Sequence, residues 1–332
     1  MQNNLYSRAH SFLNKILSEI ETQKIEIHNK EIDHLCYRTS SNQNYHQIKR
    51  EFESLGSLLI ESEVNGRMIA TYKLHKPITY KNWIIDLVEV PAPKPNKQTQ
   101  EGFEHIEVVI DCSFDEFKKN LPHIKFNEKG MSKDLNPELE IEFVDCAIKF
   151  HHKSLEHIIN IEKNSKIMTF LNDTGILNKF KQFSPCISGT LPLGIQRQDS
   201  DLDILFCADD LQEFLDHAKS VFQNESGFHF QFSQNQGLES LVINFEYLGL
   251  PIELFAQDCD SFQQRANQHF LIEGRLLKVL GSSFCGKVCD LKQQGIKTEP
   301  AFGQILNLDE PYQDLVDLNQ LSDAELLSRF SD

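Results

Sequence analysis

The chain has 332 residues, 40% of them hydrophobic, and a formal net charge of −16. That length exceeds what one hydrophobic core usually serves and predicts two domains, while the lack of any apolar run of about 18 residues excludes a membrane span and a membrane partner. The charge divides into −4 over residues 1–163 and −12 over residues 164–332, a field that repels a phosphate backbone and argues against long nucleic acid as the partner of the second half.

At the start of the chain Leu5, Phe12, Leu13, Ile16, Leu17 and Ile20 recur at helical spacing, so an amphipathic helix is expected over residues 4–24. No basic-then-apolar leader opens the sequence, and a cytoplasmic location is expected. Strands are predicted at 32–38, 57–61, 67–74 and 83–90, with a helix at 44–55. The alternating prolines of Pro91-Ala92-Pro93-Lys94-Pro95-Asn96 predict a loop. The pattern then begins again, with a strand at 103–110, a helix at 113–120 and strands near 124–128, 139–145 and 147–151. The eight cysteines, Cys36, Cys112, Cys146, Cys186, Cys207, Cys259, Cys285 and Cys289, form no C-x-x-C pair and read as reduced thiols rather than a disulfide or zinc framework.

The restart carries a short echo. Ile32-Asp33-His34-Leu35 and Phe103-Glu104-His105-Ile106 each open a half with an acid, a histidine and an aliphatic residue, as a duplicated module would. Together with Cys36-Tyr37-Arg38, Asn65-Gly66-Arg67, Lys73-Leu74-His75-Lys76-Pro77, Val88-Glu89-Val90-Pro91 and Glu101-Gly102, these residues resemble the YecM-like family, a branch of the vicinal-oxygen-chelate (glyoxalase/dioxygenase-like) superfamily, over about residues 10–163. The resemblance implies paired βαβββ modules curled into a glyoxalase-like cup, with a divalent transition metal held there by His and Glu. It makes His34, Glu89 and His105 the candidate ligands, with Glu107 or His151 as a fourth. On a strand His105 and Glu107 share one face, an arrangement that an internally hydrogen-bonded pair also explains. His151, His152 and His157 read as surface residues near a helix start.

A polar stretch, Glu162-Lys163-Asn164-Ser165-Lys166, sets the expected boundary, giving domains 1–163 and 164–332. Beyond it a helix carries Met168, Leu171, Ile176, Leu177 and Phe180. Strands 239–247 and 250–255 meet at a hairpin turn over Tyr247-Leu248-Gly249, and a longer helix runs over about 260–280. Residues 282–330 read as short helices and loops.

The stretch that carries chemistry is Ser188-Gly189-Thr190-Leu191-Pro192-Leu193-Gly194-Ile195, followed by Asp199-Ser200-Asp201-Leu202-Asp203-Ile204. Residues i and i+2 on a strand project from one face about 7 Å apart, so Asp201 and Asp203 suit paired coordination of Mg²⁺ or Mn²⁺, and Glu253 in Pro251-Ile252-Glu253-Leu254-Phe255 offers a third acid on a later strand. Gly189 lets backbone amides approach a phosphate, and Thr190, Ser200 and Arg197 are the further nucleotide-binding candidates. A calcium loop is excluded, because its glycine and twelfth-position Glu are missing. Turn, Asp-x-Asp and third acid in this order resemble the nucleotidyltransferase superfamily. With Gln264, His269, Glu273-Gly274-Arg275 and Lys297-Thr298-Glu299-Pro300-Ala301-Phe302, the half resembles an uncharacterised family of that fold, a mixed sheet with flanking helices.

The whole is therefore expected to be an α+β two-domain protein that moves a nucleoside monophosphate from an NTP to a small-molecule or protein hydroxyl. Two other readings stand beside it. One is a ligand-binding or sensing protein with a degenerate transferase fold; the other is isomerase, lyase or dioxygenase chemistry in the first domain.

Overall fold

Period-two alternation of apolar residues builds two sheets, and tight turns with positive φ close their hairpins. In the computed structural model, which describes residues 2–94 and 99–331, with side chains from Leu5 onward, two compact units form. One comprises the chain through Ile110, Phe114–Leu155 and Leu321–Arg329, and the other Asp111–Ser113 and Glu156–Gln320. Each is α+β, a mixed sheet flanked by helices. Pro95 and Asn96 of the expected loop lie outside the described residues, and Pro91 ends a strand.

The first unit opens with helix α1 (Gln2–Thr22), whose Leu5, Leu13, Ile16 and Ile20 are buried as their spacing required. It continues through β1 (Ile32–Arg38), α2 (Asn42–Glu53), β2 (Gly56–Val64), β3 (Arg67–Tyr80), β4 (Trp83–Pro91), β5 (Gly102–Val109), α3 (Phe114–Asn120), β6 (Leu139–Glu142) and β7 (Ala147–His151). The Ser41 hydroxyl caps α2 by accepting from Asn44 N at 3.1 Å, and Tyr45, Ile48 and Phe52 form its buried stripe. Asn65 and Gly66 both take positive φ, the requirement of a two-residue turn, and join β2 to β3. The seven strands run in the order β2-β3-β4-β1-β5-β7-β6.

Within that order β1 is parallel to β4, β5 is parallel to β7, and the two halves meet antiparallel at β1 and β5. This is the paired βαβββ plan, with one shortening. Where a strand over 124–128 was expected there is only a bridge between Asn127 and Glu140. The Asn127 carboxamide bonds Glu140 and Glu142 and accepts from Lys129 N at 3.2 Å, which starts a tight helical turn and ends the pairing.

The second unit contains α4 (Leu155–Lys163, its first residue in the other unit), α5 (Ser165–Thr174), α6 (Ile176–Lys179), β8 (Cys186–Ser188), α7 (Thr190–Leu193), β9 (Leu202–Cys207), α8 (Leu211–Phe222), β10 (Ser226–Asn235), β11 (Leu238–Tyr247), β12 (Leu250–Gln257), α9 (Arg265–Gln293), α10 (Thr298–Leu306) and α11 (Pro311–Leu318). A last helix, α12 (Asp323–Phe330), belongs up to Arg329 to the first unit, where the Asp323 carboxylate accepts from Ile84 N. The sheet order is β10-β11-β12-β9-β8, with β9 and β12 parallel and every other pair antiparallel. Many of the chain's phenylalanines meet beneath it: Phe222 stacks on Phe245 at 4.7 Å, and Phe206 meets Phe214 at 4.9 Å. Strand β10 had no sequence expectation, since nearly all its residues are exposed. Helix α9 is longer than the expected 260–280. Gly281, at φ 76°, kinks it, and Phe284 and Val288 continue a buried face beyond the kink.

Candidate functional site

In the first unit the β-register alone gathers the polar residues. Cys36 of β1 lies opposite His105 of β5 and Glu89 of β4, and His34 lies opposite Glu107. His34 and Cys36 are two apart on β1, and His105 and Glu107 two apart on β5, so each pair shares a sheet face. The pairing slips once on each strand, which leaves Asp33 of β1 and Glu104 of β5 as the extra, unopposed residues. A bulge re-aims a side chain. Here each bulged acid turns onto the histidine that follows it: His34 Nδ1 donates to Asp33 Oδ2 at 2.7 Å, and His105 Nδ1 to Glu104 Oε2 at 2.6 Å. The acid-His echo of the sequence is thus one structural device built twice.

With Nδ1 committed, each ring presents Nε2 to the centre. His34 Nε2 lies 3.6 Å and His105 Nε2 3.3 Å from Glu107 Oε1, and His151 Nε2 lies 3.5 Å from Glu107 Oε2. All three Nε2 atoms are buried without a hydrogen-bond partner. Burial opposes charge on His34 and His105, yet neighbouring acids hold both pKa values above the ordinary histidine range: chiefly Glu107 and Asp33 for His34, and Cys36 and Glu104 for His105. Glu107 is driven well below the usual carboxylate range against its own burial, by Lys149 first and then the histidines; Lys149 Nζ stands 3.0 Å away.

Two groups of metal-ligand type result. His34, His105 and Glu107 bring donor atoms within 4.8 Å of one another, and so do Cys36, Glu89 and His105. Orphaned imidazole nitrogens with carboxylate-fixed tautomers, converging on a carboxylate, fit a divalent transition metal. His34 and Glu89 fall in different groups with His105 common to both, and Cys36 was not a candidate in the sequence because a lone buried cysteine reads as core. The surface expectation for His151, His152 and His157 is corrected: each is at most 9% exposed. His151 is the last residue of β7, and His157 packs on Phe270 within the second unit.

In the second unit Ser188, Asp203, Glu253 and Asn244 form one row across β8, β9, β12 and β11. Gly189 follows at φ 77°, and a Cβ there would lie 1.8 Å from Asp203 Oδ2; only glycine allows this approach. Asp203 is held well above the usual carboxylate range by burial and by the charges of Asp201, Glu253 and Glu299. Glu253 is raised by burial and Asp201, although Asn244 Nδ2 donates to it at 3.2 Å. Asp201 stands just before β9. Ser200 Oγ accepts from Arg197 N at 2.9 Å and from Thr190 Oγ1 at 3.4 Å, which ties the turn to the loop. Arg197 is exposed and forks onto Asp199 at 2.9 and 3.1 Å.

A cleft of about 460 Å³ opens over this row, with Gly189, Thr190, Asp203 and Glu253 in its walls and Asp201, Ser200 and Arg197 outside them. Its other walls bring Gln264, His269, Glu273 and Glu299, of which Glu273 and Glu299 had no assigned role in the sequence; helical spacing hid them among ordinary surface acids. Among the described residues both groups of metal-ligand type lie in the first unit. No helix among those residues is long and apolar enough to cross a membrane.

Comparison with known proteins divides the chain the same way. Residues 1–162 match the family described as YecM protein, and residues 169–318 match a domain of unknown function, DUF4269. Protein YecM of Escherichia coli (strain K12) is 32% identical over 148 residues, 40% of this chain and 79% of that protein. An uncharacterized protein of Haemophilus influenzae is 30% identical over 173 residues, 46% of this chain and 91% of its own length. The Cid1 poly(U) polymerase, in an MgGTP-bound structure, is 14% identical, with 51% of this chain and 67% of that chain covered at a TM-score of 0.32.

Proposed function

Through residues 1–162 the chain belongs to the YecM family, and from that premise we propose that it couples a metal-holding cup to a second domain that transfers a nucleoside monophosphate from an NTP to a small-molecule or protein hydroxyl. The observation that supports the transfer is the parallel pairing of β9 with β12, which sets Asp203 beside Glu253 directly under the Gly189 turn. Carboxylates this close repel each other, and a cation relieves the repulsion. Mg²⁺ or Mn²⁺ held by Asp201, Asp203 and Glu253 would supply charge neutralisation for the triphosphate.

The chain's own residues do the rest. Amides of the Gly189-Thr190 turn bind phosphate oxygens, since glycine leaves the approach open. The acceptor oxygen bonds to the α-phosphorus, the bond to the bridging oxygen breaks, and pyrophosphate leaves with the electron pair. Glu253 takes the hydroxyl proton. Catalysis of this kind is mostly positioning and electrostatics.

A second reading concerns the cup, and the three orphaned Nε2 atoms favour it. His34, His105 and Glu107 would hold a divalent transition metal, which would polarise a bound carbonyl or hydroxyl for isomerase, lyase or dioxygenase chemistry.

Thermal unfolding of wild type and D201N/D203N with each NTP, with and without Mg²⁺, tests the transfer site, because a ligand of the native state raises the midpoint. A Mg²⁺-dependent rise with a nucleotide, lost in the variant, is expected; no rise with any nucleotide overturns the reading. Metal analysis of wild type against H34A/H105A tests the cup, where equal metal content in the two proteins overturns it.

A further inference from the structure

The cleft of the second unit has a wall that nucleotide transfer does not use. Along α9, Ala266, Phe270 and Glu273 face the cavity, and Gln264 stands immediately before the helix. Gln264 Nε2 donates to the carbonyls of Phe206 at 2.8 Å and Cys259 at 3.2 Å, which fixes the carboxamide and leaves its buried Oε1 without a partner. Glu273, 4% exposed, likewise has a buried Oε1 with no partner. Two orphaned acceptors therefore border one cleft, where native proteins nearly always pair such atoms.

Acids outnumber the one arginine, Arg265, among the residues that line the cleft. Glu299 lines the same wall, with His269 Nδ1 at 3.3 Å, and four carboxylates line the cleft in all: Asp203, Glu253, Glu273 and Glu299. The Lys292 ammonium donates to Thr298 Oγ1 and acts on Glu273 and Glu299 through its charge, without a direct ion pair to either among the described residues. Arg265 is turned to Gln313 Oε1 at 2.6 Å. Burial first and the Glu299 charge second push the Glu273 pKa up, against the opposing charge of Lys292. Even with a divalent ion at Asp203 and Glu253, the wall keeps the unpartnered Oε1 atoms of Glu273 and Gln264.

We propose that this wall is the acceptor subsite, and that it selects a small hydroxylated amine whose ammonium group sits at Glu273 and Glu299 while its hydroxyl points toward Glu253. The proposal rests on the transferase reading for the hydroxyl's fate, and on the wall alone for the amine. An acceptor bearing phosphate or carboxylate meets like charge there, and a neutral polyol leaves Glu273 unpaired. The cavity volume suits a small molecule beside a nucleotide better than a polymer.

Calorimetric titration of the full chain with 1,3-diamino-2-propanol, and with glycerol as its uncharged counterpart, tests the subsite. Saturable binding of the diamine, none of glycerol, and at least tenfold weaker diamine binding by E273Q are expected. No diamine binding, equal binding by E273Q, or equal binding of glycerol overturns the proposal. E299Q is the second variant, with the same expected loss, should E273Q fail to fold. The same samples tested with Mg²⁺ and nucleotides separate the two readings. A nucleotide response lost in D203N while diamine binding persists supports both. A nucleotide response lost in E273Q with diamine binding intact reassigns the wall to the nucleobase and overturns the amine subsite. Diamine binding with no nucleotide response overturns the transferase reading and leaves the subsite standing.

Discussion

Single residues carry two of the demands this protein makes on its backbone. Gly189 combines a left-handed φ with an approach to Asp203 that no side chain tolerates. Gly189→Ala is therefore expected to lower unfolding free energy by about 1–3 kcal/mol, the range for strain at a special backbone position, and to abolish any nucleotide-dependent rise in midpoint; urea unfolding and thermal shift check the two effects. Glu104 makes the other demand, since it orients His105 and is paired with Arg38 Nε at 2.8 Å. Glu104→Gln leaves the ligands in place and loosens their aim, so cup affinity for metal should fall about 10–100-fold in a chelator competition.

At the scale of elements, the pairing of strands decides which charges meet. The β9–β12 pair concentrates negative charge in the second unit, and its effect on stability has a definite sign. Asp203 has a folded pKa raised above its unfolded value. The folded chain holds that proton more tightly, so stability is greatest below the unfolded carboxylate pKa and falls as pH climbs through the window above it. In chelator, Asp203→Asn should raise the thermal midpoint at neutral pH and flatten the decline between acid and neutral pH. A wild-type midpoint that does not fall over that interval would contradict the charge argument. The β1–β5 pair works differently, because its bulges bring a carboxylate to each histidine, while the neighbouring β5–β7 register sets Lys149 beside Glu107.

For the whole molecule, net charge is the property with consequences beyond any site. At −16 overall, most of it in the second half, a single-stranded RNA oligomer should show no saturable binding by fluorescence anisotropy at physiological salt, where a phosphate-binding protein relies on releasing counterions to basic residues. Binding that weakens steeply with added salt would show a basic surface that the net charge conceals.

The order of residues along the chain already carried the two-domain α+β plan, the repeated acid-His opening, the Gly-Thr turn and the spaced Asp201, Asp203 and Glu253. Each of these depends on local periodicity or on a motif whose chemistry lies within a few positions. Folding decided the rest. Glu107 rather than Glu89 joins His34 and His105, because antiparallel register sets it opposite His34. Cys36 became a donor beside Glu89, and Glu273 and Glu299 entered the second unit's cleft from separate helices. The histidines at 151, 152 and 157 look like polar surface in one dimension and are buried in three. Register, bulges and helix packing are long-range outcomes, and a one-residue slip in any of them exchanges the faces of a strand. Local pattern is blind to that slip, so a sequence names the groups that carry the chemistry before it can say which of them meet.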